Sequence, residues 1–259
     1  MKVTFLGQCA NQTDTHDPVS FIVDCGSNVV LVETGPGIVR QILRAGRFCT
    51  DIAHVVVTHC HGDHTLGFPY FVWNHFYEGL EGRCGPDSIH VYGLPSVLHG
   101  LKNMLEFCYI TSKYPFAVEY HPMLEDGPNE LQIDGIGLSA TLVDHTTPNM
   151  GLRIDYEGRS LAYSSDTIYS PDFRDLAANV DLMIHEGFVT EDNFDLSRKV
   201  KHGTSADAGR CAREAVAKQL ALVHLFPPML GKIPALVAEA EKDFTGKVFV
   251  PDDFETVVL

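Results

Sequence analysis

Apolar residues fall in short runs that stop at polar or glycine-rich breaks. Val3–Leu6, Phe21–Val23 and Val29–Val32 are β-rich and separated by Gly, Asn, Asp and Ser, the pattern of an antiparallel meander opening a sheet. Gln8 to Pro18 is a long polar loop between the first two, either a plain surface connection or the border of a site. Glu33-Thr34-Gly35-Pro36-Gly37 ends a strand and starts a helix, Ile38 to Ala45, whose Ile38, Ile42 and Leu43 recur at helical spacing. A strand over Ile52 to Thr58 follows. The aromatic stretch Phe68 to Tyr77 reads as a helix packed on the sheet, with an apolar substrate wall as the alternative. Further on the pattern predicts a strand at Ile89–Tyr92, a helix at Ser96–Phe107 and strands near Phe116–Tyr120, Leu131–Ile133 and Ile136–Val143. A hairpin turn is expected at Glu157-Gly158-Arg159.

Five predicted strand ends deliver ionisable groups. Val55–Thr58 runs into His59-Cys60-His61-Gly62-Asp63-His64, Ile136–Val143 into Asp144-His145, and Ser160–Tyr163 into Ser164-Ser165-Asp166. Val180–Ile184 runs into His185-Glu186-Gly187, and Leu220–Val223 into His224. Carboxyl ends of strands are where open α/β sheets hold their ligands, and a rim of converging ionisable groups is hard to explain as packing. Residues two apart in an extended segment point the same way, so His59 and His61 can chelate one ion together. Asp63 and His64, past the turn at Gly62, can face a second. Imidazole with carboxylate suits zinc first, with manganese or iron as alternatives, and resembles neither a thiolate cage nor an all-oxygen site.

Composition narrows the classes. The 259 residues, 45% hydrophobic and 20% charged, fit a soluble chain read as a single domain over 1–259. No apolar stretch reaches membrane-spanning length, and Met1 to Gly7 reads as a first strand rather than a signal peptide, so no membrane and a cytoplasmic location are expected. Seven scattered cysteines argue for free thiols, with Cys60 a buried bystander pointing away from its flanking histidines. His75, His90, His99 and His121 are isolated and read as ordinary. The net charge of −15 argues against a nucleic-acid backbone as main partner, and the densest basic run, Arg198-Lys199 with Lys201, reads as a solvated turn.

With these residues in place the chain resembles the metallo-β-lactamase superfamily, and within it the branch of ribonuclease Z and related phosphodiesterases, from Gly35-Pro36-Gly37 to Val250-Pro251-Asp252-Asp253. The resemblance implies an α/β fold, the four-layer αβ/βα sandwich of two mixed sheets with helices outside. It implies that His59, His61 and His145 bind a first metal, Asp63, His64 and His224 a second, and that Asp166 bridges both. His185-Glu186-Gly187 and His202-Gly203-Thr204-Ser205 resemble the branch's paired motifs carrying a catalytic glutamate and histidine. Two positions depart from the pattern. Glu33 stands where the family commonly has an aspartate, and the short span from His145 to Asp166 leaves no room for the arm with which ribonuclease Z grips tRNA.

The expected function is a dinuclear metal-dependent hydrolase, a phosphodiesterase acting on a small or cyclic phosphodiester through a metal-bridging hydroxide. Asp63 orients that hydroxide, His202 protonates the leaving group, and Glu186 fixes the tautomer of His202. Alternatives are a lactonase or arylsulfatase of the same fold, a tRNA 3′-end endoribonuclease, or, in another class, an iron-dependent redox enzyme or a non-catalytic metal-binding protein. The expected partner is a small-molecule substrate, with nucleic acid disfavoured by charge and the missing arm; the branch also implies a homodimer.

Overall fold

The computed structural model describes residues 1–109, 114–123 and 129–259. Its first strands, β1 (Lys2–Gly7), β2 (Ser20–Cys25) and β3 (Asn28–Val32), form the predicted meander, with Val3 opposite Val23 and Phe21 opposite Val32. Gly26, at φ +66°, makes the left-handed turn between β2 and β3 that a side chain would strain. Helix α1 (Ile38–Arg44) then leads to β4 (His54–Val56), which lies parallel to β3. This strand is shorter than predicted because a 3-10 turn at Cys49–Asp51 occupies the approach and the chain beyond Val57 bends into the histidine cluster.

After it come α2 (Gly62–Thr65), α3 (Phe68–Leu80), β5 (Ser88–Gly93), α4 (Pro95–Phe107) and β6 (Ala117–Pro122). The second half runs through β7 (Asn129–Ile133), β8 (Ile136–Val143), β9 (Asn149–Tyr156), β10 (Arg159–Tyr163), α5 (Pro171–Leu176) and β11 (Leu182–Glu186). It ends with α6 (Phe194–Val200), α7 (Ser205–Glu214), β12 (Gln219–Val223), α8 (Ile233–Ala240), β13 (Lys247–Phe249) and β14 (Thr256–Val258). Among the described residues two seven-stranded mixed sheets result, ordered β14-β1-β2-β3-β4-β5-β6 and β13-β12-β11-β10-β9-β8-β7. Glu157 and Gly158, both at positive φ, close β9 onto β10 in a two-residue turn with Tyr156 opposite Arg159, so no arm projects from this hairpin.

The sheets meet face to face. Phe21 of β2 and Tyr163 of β10, both fully buried, touch edge to face at 5.2 Å across the gap. Burying each ring contributes roughly 2–3 kcal/mol before entropy is counted. Outside the second sheet, Phe173 and Ala177 of the α5 region, Ala208 and Ala212 of α7 and Leu236 of α8 cover Ala162, Met183, Leu220 and Leu222. Small residues on α7 let it lie close to the strands, and a reciprocal capping box of Thr204 and Asp207 fixes its start. The aromatic stretch is the predicted helix. Phe68, Phe71 and Val72 of α3 are buried, while Tyr70, Trp73 and Tyr77 are exposed.

Helix α2 is seated against the loop after β3. Thr34 donates from both its backbone nitrogen and its hydroxyl to the His64 carbonyl, at 2.9 and 3.1 Å, and Gly67 donates to Thr34 O at 2.8 Å. A Cβ on Gly35 would fall 1.9 Å from the Asp63 carbonyl oxygen. Gly35→Ala is therefore expected to destabilise the protein by about 2–3 kcal/mol or more. Gly100→Ala, in open space on α4, should instead stabilise it by about 0.5–1 kcal/mol. Urea unfolding midpoints of the two variants check both signs.

Candidate metal centre

Three strands end in the same unusual way. Glu33 after β3, Ser165 after β10 and His224 after β12 have φ of +66°, +54° and +53°, although none is glycine. Non-glycine residues in that region cost of order 1–3 kcal/mol each and persist where the surroundings over-determine them. Here the turns aim side chains of both sheets into one point between the strand ends.

The carboxylate of Asp166 occupies that point. Its Oδ2 lies 3.5 Å from His59 Nε2, 3.4 Å from His64 Nε2, 3.9 Å from His145 Nε2 and 3.1 Å from His224 Nε2. His61 Nδ1 sits 3.2 Å from both His59 Nε2 and His145 Nε2. Asp63 Oδ2 sits 3.4 Å from both His64 Nε2 and His224 Nε2. Two sets of donor atoms follow, His59, His61, His145 and Asp166 on one side, and Asp63, His64, His224 and Asp166 on the other. All seven residues predicted from the sequence are brought together.

Polar atoms left without partners identify what the sets fit. Both carboxylate oxygens of Asp166, both ring nitrogens of His64 and Nδ1 of His224 are buried and make no hydrogen bond. Buried polar groups are almost always paired, and a cluster of unpaired imidazole nitrogens around an unpaired carboxylate suits divalent metal ions. Electrostatics agree. Burial would raise the Asp166 carboxyl, yet the charges of His224 and His64 hold it well below the usual range. Burial, then the neighbouring His64, pushes His59 well below the ordinary histidine value, which keeps its lone pair free. His64 is raised well above it against burial, because Asp166 and Glu33 demand a positive charge there. A cation would displace that proton.

Around the donors, other groups fix the rings. His145 Nδ1 donates to the Lys201 carbonyl at 3.0 Å, and His59 Nδ1 lies 3.1 Å from Thr58 Oγ1. Glu33 Oε1 accepts from Thr58 Oγ1 at 2.6 Å, while its Oε2 faces His64 Nδ1 at 3.4 Å. Asn149 Nδ2 donates to the Asp166 carbonyl at 2.6 Å, and its Oδ1 accepts from Ser165 Oγ at 2.9 Å. Neither Lys201 nor Asn149 was expected to matter. A backbone carbonyl carries no sequence signal, and the run containing Lys201, read as a solvated turn, in fact caps α6 and braces His145.

Glu186 and His202 stand beside the donors. Glu186 Oε2 accepts from His202 Nδ1 at 2.9 Å, and its other oxygen accepts from the Thr167 backbone nitrogen. The His202 ring packs against Phe188, at 4.3 Å, and against His224, at 5.0 Å. Burial would lower its pKa, but Glu186 pushes it up to about 9. Glu186 lies inside β11 rather than past its end.

These groups open into a cleft of about 310 Å³ that Ala10 and Asn11 also line, so the Gln8–Pro18 loop borders the site. Tyr70 and Trp73 of α3 line a separate groove with α4 and none of the donor residues. Cys60 is exposed rather than buried, because alternate residues of this loop face the donors and the solvent. No helix of the described residues is long and apolar enough to cross a membrane.

A family model described as the beta-lactamase superfamily domain matches residues 28–225. The chain belongs to that superfamily. Ribonuclease Z of Myxococcus xanthus is 28% identical in an alignment covering 100% of this chain and 98% of the relative. The solved metallo-beta-lactamase fold protein YhfI from Bacillus subtilis superposes with a TM-score of 0.84 at 22% identity, covering 99% of this chain and 98% of its own. The short form of human tRNase Z gives 0.83 at 20%, covering 100% and 99%. The two seven-stranded sheets with helices outside are the fold expected, the ribonuclease Z-like branch is the one resembled, and the chain is a metal-dependent hydrolase. One expectation is overturned. Nucleic acid was disfavoured as a partner, whereas relatives matched along the whole chain are ribonucleases. Net charge was a poor guide because bound cations invert the local potential at a cleft whatever the far surface carries.

Asp166→Ala is expected to abolish metal retention and hydrolysis together. Glu33→Ala should weaken metal affinity about 10–100-fold while leaving the donor residues in place. Elemental analysis of the purified variants after dialysis against a graded chelator series reads both.

Proposed function

We propose that this chain is an endoribonuclease-type phosphodiesterase that cuts the 3′ side of a structured RNA such as a tRNA precursor, using two divalent ions, zinc first. The observation that carries the reading is the Glu186–His202 pair beside the donor cluster, since a phosphodiester expels an alkoxide that needs a proton. Its relatives support the substrate class. The ribonuclease Z of Myxococcus xanthus aligns over 306 positions, which also means that it carries segments this chain of 259 residues lacks.

His59, His61 and His145 would hold one ion, Asp63, His64 and His224 the other, and Asp166 both. Ions so held supply Lewis-acid polarisation and bring the pKa of a bound water to about 7. The chain's own residues do the rest. Asp63, partly exposed at the cleft floor, orients the attacking water. His202 has its Nδ1 engaged by Glu186 and its ring packed against Phe188 and His224, so Nε2 is the atom that delivers a proton to the leaving oxygen. Glu186 is itself fixed by the Thr167 backbone nitrogen and stabilises the imidazolium. Phe226 and Pro227 at the cleft wall offer an apolar face on which a nucleobase can stack.

The test pairs a tRNA precursor carrying a 3′ trailer with a chromogenic bis-aryl phosphate, on wild type and His202→Ala. Wild type should cleave the RNA, and His202→Ala should retain its metal while turnover falls about 10²–10⁴-fold. Turnover of the chromogenic diester with intact RNA would return the reading to small phosphodiesters. Unchanged turnover by His202→Ala would remove that residue from the mechanism.

A further inference from the structure

We propose a third divalent-metal site on the edge of the first sheet, built from His90, Glu119 and His121. It shares no residue with the candidate centre and spans β5 and β6, roughly 5 and 10 Å across the sheet from β4. Strands β5 and β6 run parallel, with His90 directly opposite Glu119 and Tyr92 opposite His121. Successive side chains alternate between faces, so all three donors stand on the face turned toward the other sheet. At β6, the outermost strand among the described residues, that face is partly exposed. His90 is part-exposed and Glu119 exposed.

The spacing of the donor atoms fits one ion. His90 Nδ1 lies 3.0 Å from His121 Nε2 and 3.6 Å from Glu119 Oε2. Two donors bound to a tetrahedral zinc-type ion at 2.0–2.1 Å are about 3.3 Å apart, between these two values. The donors are also held from behind. Ser88 Oγ donates to Glu119 Oε1 at 2.6 Å, which leaves Oε2 for the histidines. The His121 ring is stacked on Tyr92 at 4.8 Å, and the His90 ring on His54 at 5.4 Å. His54 in turn meets the Tyr92 hydroxyl at 3.2 Å, so the two supporting rings brace each other. Bracing of this kind sets ligand orientation in metal sites.

Two imidazoles and one carboxylate select a divalent transition metal such as zinc, cobalt or nickel over magnesium or calcium. The remaining coordination positions face water. An ion held there ties β6 to β5 through side chains of both strands.

The full-length wild type, His121→Ala and the milder Glu119→Gln are stripped with chelator and titrated with cobalt(II). Wild type is expected to bind roughly one equivalent more than His121→Ala. Glu119→Gln should hold that equivalent at least about tenfold more weakly. Chromogenic phosphodiester hydrolysis by the metal-loaded proteins should be the same in all three. Equal stoichiometry and affinity in the three proteins would mean that the imidazoles are only hydrogen-bonded to each other, and would overturn the site. The count reads metal rather than turnover, so it stands whether or not the chain cleaves RNA.

Discussion

A carboxylate with no hydrogen-bond donor on either oxygen, 1% exposed between two sheets, is the constraint around which the molecule is arranged. Leaving such a charge uncompensated costs several kcal/mol. The four imidazoles within 4 Å of Asp166 answer that demand, and they come from strand ends far apart in sequence. The strain at Glu33, Ser165 and His224 becomes intelligible as the cost of aiming groups at one point. Regular strand geometry would have sent them along the sheet instead.

Glu33 illustrates how a departure from a family pattern is absorbed. Glu33 carries one methylene more than the aspartate common at this position in the family. From its left-handed backbone the longer side chain reaches both Thr58 and His64. One carboxylate thereby braces the loop carrying the first histidines and the ring of a later one. Glu186 does the same on the opposite side, linking the Thr167 backbone to His202.

How much of this was readable from the chain depended on range. His59 to His64 stood out because spacing within six residues already says which side chains share a direction. His145, Asp166 and His224 could be recognised as donors at strand ends, but only the family resemblance sorted them into two sets, since their meeting depends on the docking of two sheets. The Lys201 carbonyl and Asn149 were invisible, one being backbone and the other an ordinary polar residue at the start of a strand. Cys60 was misplaced because a residue beside the buried His59 need not be buried when the loop lies at the surface. His90 and His121 looked isolated, being joined only by the register of β5 with β6. The charge argument failed for a related reason, since a sum over all residues says nothing about where a cleft lies.

The division of donors between the sheets has a bearing on how the protein is made. His59, His61, Asp63 and His64 follow β4 of the first sheet, whereas His145, Asp166 and His224 follow strands of the second. During synthesis the first four donors emerge well before the bridging carboxylate. A partly made chain therefore offers an incomplete ligand set of low affinity. Tight capture of metal waits for the long-range contacts that form slowly, which makes metal retention a report that both halves have folded and docked rather than that either has folded alone.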